Sequence, residues 1–205
     1  YFLCHDCEDK INKNGENFVV PECQHGKDKF DLLEKIKKAK FTKNSDGEKW
    51  INPMTEKFLN PDAYLYFALS IFWRNSAGSW SDELEEYKGA LGIYEESIRN
   101  YLLNKTNFPE NVYLFIYVDH DKENYSFLSF PSLKNEHDFD KHTFFIPGIM
   151  FLLVVGDSKG IKLTFESIKT KTIFVSYSFQ KSKEFGLLLS AVKSTKSKGN
   201  LAKLE

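Results

Sequence analysis

Cysteine and arginine are scarce in this sequence, and long apolar runs are missing from it. Its three cysteines, Cys4, Cys7 and Cys23, all lie within the first 23 of 205 residues. Such a set is not the even-numbered framework of a disulfide-stapled secreted domain, and no signal-peptide pattern is seen before it, so a reducing, cytoplasmic compartment is expected. Arg74 and Arg99 are the only arginines, which leaves little for bidentate reading of guanine edges, although lysine contacts to phosphate stay open. Lys and Arg number 28 against 29 Asp and Glu, a net charge of -1. That balance excludes a global attraction to nucleic acid or to an anionic membrane. The longest apolar runs, 63–73 and 149–155, fall well short of the roughly 18 to 20 residues that cross a bilayer, and no membrane span is expected. No G-x-S-x-G, H-E-x-x-H or G-x-G-x-x-G stretch occurs, so no enzyme class is indicated by motif. The chain opens on Tyr1 without a methionine, and a natural start upstream of it is expected.

What is present is a cluster at the beginning. Tyr1-Phe2-Leu3 running into Cys4-x-x-Cys7 has the pattern of a short strand entering a zinc knuckle, where a two-residue gap lets two thiolates face one tetrahedral ion. Cys23 and His25 would complete a C-x2-C-x15-C-x-H set, with a single residue inside the second pair. Ligands upstream of Tyr1 are the alternative, and two reduced, partly buried cysteines are a third. Residues 8–17 read as a polar turn in which Gly15 suits a left-handed position. From Lys29 to Ala39 the spacing of Phe30, Leu33 and Ile36, with Leu32 beside them, predicts an amphipathic helix whose other face carries Lys35, Lys37, Lys38 and Lys40.

The order Phe2-Leu3-Cys4-x-x-Cys7-Glu8, then Gly15-Glu16, Cys23 and Phe30-x-Leu32-Leu33, resembles an uncharacterised group of bacterial proteins with an HNH-endonuclease-like, treble-clef zinc motif. The similarity continues through Leu65-x-Phe67-Ala68-Leu69-Ser70-Ile71-Phe72-Trp73-Arg74, Tyr94-Glu95-Glu96 and Tyr101-Leu102-Leu103 to Phe108-Pro109-Glu110-Asn111. It covers about the first half of the chain. The resemblance implies that Cys4 and Cys7 are structural zinc ligands and that DNA or RNA is a partner. It also implies an earlier C-x-x-C and a Ser-His-x-Ile-Pro-like segment carrying a general-base histidine, neither of which is in this sequence. His5 falls at a variable position and takes no role. Without that histidine, the chain itself is not expected to cleave nucleic acid by an HNH route.

Downstream, Asn60-Pro61-Asp62 is a strong helix start, with an N-cap, a proline at the first helical position and an acid in the first turn. The helix expected over 63–76 is apolar nearly all round and would be wrapped by other elements. Arg74, at its end, is expected to answer carbonyl dipoles or a structural acid. Leu91, Tyr94, Ile98, Tyr101 and Leu102 predict a second amphipathic helix ending before Asn104, with Glu95 and Glu96 facing outward in its first turn. An acidic loop containing Asp82, Glu83, Glu85 and Glu86 separates the two.

Strands are predicted over 112–118, 125–130, 143–146, 149–155, 161–168 and 172–177, with a hairpin turn at 156–160. Asp119-His120-Asp121 and His137-Asp138-Phe139-Asp140-Lys141-His142 read as polar loops between strands. A last helix over 181–192 would bury Phe185, Leu188, Leu189 and Val192, ahead of a basic tail. The expected class is α+β: a zinc-knuckle-like segment with a basic helix over 1–50, then an α+β domain over 51–205 with a helical middle, a mainly antiparallel sheet and a final helix. Two functions from different classes fit. One is an HNH-like zinc protein that binds nucleic acid as the non-catalytic part of a nuclease. The other is a protein-interaction or structural module with a protein partner and at most a structural zinc.

Overall fold

The computed structural model describes residues 3–26, 29–45, 47–78, 87–121, 128–183, 185–186 and 190, with the backbone alone at 43–45. The strands β5 (Val112–Asp119), β8 (Ile149–Gly156) and β9 (Thr172–Tyr177) form its centre. They are rich in Val, Ile, Leu and Phe and buried on both faces, as strands covered on both sides must be. β5 runs parallel to β9 and antiparallel to β8. Around them β3 (Lys43–Ser45), β4 (Glu48–Ile51), β6 (Ser132–Asn135) and β7 (Phe139–Ile146) complete a seven-stranded sheet of order β3-β4-β9-β5-β8-β7-β6. Every other pairing in it is antiparallel, so the α+β class expected from sequence is the class observed. β4 spans the boundary expected near residue 50, and one core cluster runs from Ile11 to Phe174.

One face of the sheet is covered by helices. α4 (Pro61–Ala77) starts as its sequence dictates: the Asn60 side chain accepts from the Ala63 amide at 3.2 Å, and Pro61 occupies the first turn. Ten of its 17 residues are buried. Tyr64 and Phe67 lie against Phe151, and Phe72 packs edge-on to Phe144. Each such ring removed from water contributes roughly 1.5–3 kcal/mol. α5 (Glu95–Leu102), entered through a 3₁₀ turn at Gly92–Tyr94, buries Ile98 and Leu102 beside α4. α3 (Asp31–Lys38) buries Leu32, Leu33 and Ile36 and turns its lysines outward, as its spacing predicts. Arg74 pairs with Glu16 at 2.7 Å and also donates to the Ser70 carbonyl, the structural role expected of it. Glu95 departs from the outward position expected for it, because Ser76 Oγ donates to its carboxylate at 2.6 Å.

The N-terminal expectation is corrected. Cys7 lies inside a helix and not in a knuckle loop, and of the strand expected at 1–3 the first two residues lie outside the described residues. Cys4 is the extended residue before α1 (His5–Ile11), which passes through a π-helical turn at Asn12–Glu16 into α2 (Asn17–Glu22). Residues 8–17 are helical because Ile11, Gly15 and Val19 form one buried stripe, a pattern masked by the Asn and Lys residues between them. Gly15 is not in a left-handed conformation. A Cβ on it would lie 2.9 Å from Phe67 Cα, so the missing side chain is what lets the helical segment press onto α4. A two-stranded ribbon, β1 (Gln24–His25) with β2 (Lys29–Phe30), follows.

The second face differs from expectation in one element. The stretch 161–168 is not a strand after a hairpin turn but α6 (Lys159–Ile168). Its alternation of apolar and polar residues is also compatible with a helical stripe of Ile161, Phe165 and Ile168 at i, i+4 and i+7, and that stripe lies on the sheet. Phe165 meets Tyr113 and Phe115 at ring distances of 4.9 and 5.1 Å, while Leu163 points to solvent. Of the strand expected at 125–130, residues 125–127 lie outside the described residues and 128–130 belong to no strand; β6 sits at 132–135 instead. The acidic loop 82–86 and the basic tail lie outside them too. Of the last helix, Lys183, Phe185, Gly186 and Ser190 are described as helical, and Phe185 is buried against Phe145 and Phe179. Among the described residues no helix is long and apolar enough to cross a membrane.

Candidate functional site

Two thiols lie in hydrogen-bond contact at the start of α1. Cys4 is exposed and Cys7 half-buried, three residues on, so both project to the same side of the first turn. The Cys7 backbone N–H, and then its thiol, donate to the Cys4 sulfur, which lowers the pKa of Cys4 below that of an ordinary thiol. Donating its proton, and to a smaller extent burial, raises that of Cys7. The pair is therefore set to lose its first proton from Cys4, with the Cys7 thiol left protonated beside it. A cation able to replace that second proton would be held by two thiolates.

Behind the pair lies a cavity of about 180 Å³ between α1, α4 and α5. Its walls include Lys10, Tyr66, Trp73 and Arg99 as well as both cysteines. The walls are pinned from α5: Lys10 Nζ donates to the Leu103 carbonyl at 3.1 Å and Tyr66 Oη to the Leu102 carbonyl at 2.9 Å. Tyr66, Trp73 and Arg99 are too distant in sequence from the cysteines for motif reading to have joined them.

Cys23 and His25, the other candidate ligands, sit elsewhere. Cys23 is buried after α2, where its thiol donates to the Val19 carbonyl at 3.4 Å. Burial, reinforced by the Glu22 charge, pushes its pKa up to about 12, so it holds its proton at neutral pH. His25 is exposed on β1 with Nε2 donating to the Val20 carbonyl at 3.2 Å. No group of three or more His, Cys, Asp or Glu side chains able to hold a metal occurs among the described residues. Glu22 itself serves the core, accepting from Tyr64 Oη at 2.8 Å and pairing with Lys35.

Neither polar cluster of the second half is a free loop. Asp119, buried at the end of β5, accepts the backbone amides of Asp121 and Phe179, both at 3.2 Å. Asp121 accepts from Ser178 Oγ, and the His120 ring lies 3.3 Å from Ser176 Oγ. This first cluster ties the exit of β5 to the exit of β9. In the second, residues 139–142 belong to β7, and His142 is fully buried on the helical face. Its Nδ1 meets Tyr87 Oη at 2.8 Å, Phe72 stands edge-on to the ring, and Nε2 has no hydrogen-bond partner among the described residues. Burial is the larger influence and Asp140 an opposing one, and together they lower the pKa of His142 to about 4. His137 stays exposed beside Asp138. His5 is exposed as well, so no histidine is set against the thiols as a general base among the described residues. Comparison with protein-family models, with curated proteins and with solved structures returns no match.

Proposed function

We propose that this chain is a zinc-bearing, non-catalytic module of an HNH-like protein, and that its partner is nucleic acid. The observation that carries the zinc reading is the Cys4–Cys7 pair, two thiols in mutual hydrogen-bond contact one helical turn apart. Zn²⁺ would displace the protons of both thiols, and the lowered pKa of Cys4 favours it. A tetrahedral site needs two more ligands. Cys23 keeps its proton and its hydrogen bond to Val19, so these ligands would come from outside the described residues. The zinc would then be a staple and not a Lewis acid, because both thiolates belong to a helix start and no histidine faces them among the described residues.

Support for nucleic acid is the sequence resemblance and the outward lysines of α3. Two of those lysines are answered by carboxylates, Lys35 by Glu22 and Lys37 by Glu34. Binding would therefore be weak, non-specific in sequence and sensitive to salt. Titration of zinc-loaded protein with labelled duplex DNA and single-stranded RNA at rising salt tests this. Affinity should fall linearly on a log–log plot against salt, with a slope of only a few phosphate contacts. No binding even at about 20 mM salt, well below the Debye screening of a physiological buffer, would leave the protein-interaction module as the reading.

A further inference from the structure

On the second face of the sheet two coverings stop short of each other. α6 covers Tyr113, Phe115 and Val175. The segment after β9 covers Phe145 and Met150 with Phe179 and Phe185. Between them is a cavity of about 330 Å³, floored by the strand ends at Tyr117, Thr143 and Tyr177. Tyr117 and Tyr177 lie side by side on the parallel strands β5 and β9, ring centroids 5.9 Å apart and edge to face.

The charge around this cavity is one-sided. Lys141, Lys181 and Lys183 line it, against a single carboxylate, Glu48. Glu48 already accepts from Trp50 Nε1 at 2.7 Å, and Lys141 is answered from the rim by Glu136 at 3.4 Å. No ion pair is made by Lys181 or Lys183 among the described residues, which leaves two ammonium groups uncompensated beside a concave, partly aromatic floor. The turn that carries Lys181 is tied at its start, where Asp119 and Asp121 accept from Phe179 N and Ser178 Oγ.

We propose that this cavity binds a small phosphorylated ligand of the mononucleotide class. The phosphate would be held by Lys181 and Lys183 with Lys141 beside them, and a flat ring would rest on Tyr117 and Tyr177. Lysines act as point charges for phosphate, and a dianion matches two uncompensated ammonium groups better than a carboxylate does. Aromatic floors stack bases without reading them. The size lies within the range of small-molecule sites. This inference does not rest on the zinc reading, since cavity and thiols are on opposite sides of the sheet.

Calorimetric titration of the full chain with ATP, inorganic pyrophosphate and adenosine tests it, alongside a trinucleotide with and without a 5′-phosphate. ATP and pyrophosphate should bind and adenosine should bind at least about tenfold more weakly. Binding of the 5′-phosphorylated strand as well would show that the site takes the phosphate whatever carries it; its failure beside a positive ATP titration assigns the site to free nucleotides. The double variant Lys181→Gln/Lys183→Gln, both side chains at the surface, should weaken ATP about tenfold or more with its thermal unfolding midpoint unchanged. Lys38→Gln, on the opposite layer, should bind as the wild type does. Absence of heat and of tyrosine fluorescence change with every phosphorylated probe at millimolar concentration would overturn the proposal, as would undiminished ATP binding by the double variant.

Discussion

Acidification from pH 7 to pH 4 is expected to cost the fold about 3 kcal/mol through His142 alone. The ring is enclosed by Phe72 and Tyr87, and among the described residues its Nε2 has no partner to stabilise an added proton. Burial therefore holds the folded-state pKa near 4, against 6.5 for an ordinary histidine. A depressed histidine pKa means that the unfolded chain takes up the proton first. The contribution is intact above about pH 6.5, falls as pH drops through the interval to about 4, and levels off below it. Urea unfolding at a series of pH values measures the slope. Carboxylates add a background of their own, so the comparison is with Tyr87→Phe/His142→Phe, which removes both partners of the 2.8 Å hydrogen bond. Replacing both by apolar rings of similar shape should be close to neutral at pH 7. The variant should lose less stability than the wild type between pH 6.5 and 4, by about one proton's worth of slope. Parallel curves would show that His142 is not held neutral by the core.

Gly15→Ala is the second large effect, and its sign is informative. In the interior of a helix alanine is normally better than glycine by about 1 kcal/mol. Gly15 lies in the π-helical turn and has no positive φ, so alanine meets no backbone penalty there and propensity alone predicts stabilisation. A Cβ there would meet Phe67 Cα at 2.9 Å and its backbone N at 3.0 Å, atoms that cannot swing aside. The helical segment 5–22 would have to lift from α4, and overpacking of this kind costs about 1–3 kcal/mol. Net destabilisation in thermal or urea unfolding is the expected result. A neutral or stabilising outcome would mean that the two helices do not touch as described.

Particular residues show why some elements were legible in the sequence and others were not. α4 announced itself through Asn60-Pro61-Asp62 and an apolar circumference, and β5 and β8 through unbroken β-branched and aromatic runs; local signals and tertiary position agreed there. The N-terminal helices did not, because Asn12, Asn14 and Gly15 have turn-like propensities that packing on α4 overrides. For α6, six alternating residues satisfied a strand period, and only the longer spacing of Ile161, Phe165 and Ile168 distinguishes a helix. β7 begins earlier than expected because Asp140 and Lys141 interrupt its apolar run, which hid a buried histidine among apparent loop residues.

The site was legible to the same degree. A two-residue gap between cysteines predicts neighbouring sulfurs, and Cys4 and Cys7 are within hydrogen-bond reach across the first turn of α1. Nothing in the spacing could tell that Cys23 would be sealed against the Val19 carbonyl. The lysine-lined cavity is drawn from β7 and from the segment after β9, some 40 residues apart, and has no linear signature.

X-ray absorption at the zinc edge, on protein reconstituted with one equivalent of Zn²⁺ under reducing conditions, tests the central claim most directly. The dithiol predicts two sulfur neighbours at about 2.3 Å, with the sulfur shell lost in Cys4→Ser/Cys7→Ser and retained in Cys23→Ser. Protein that takes up no zinc, or zinc surrounded by nitrogen and oxygen alone, would contradict it.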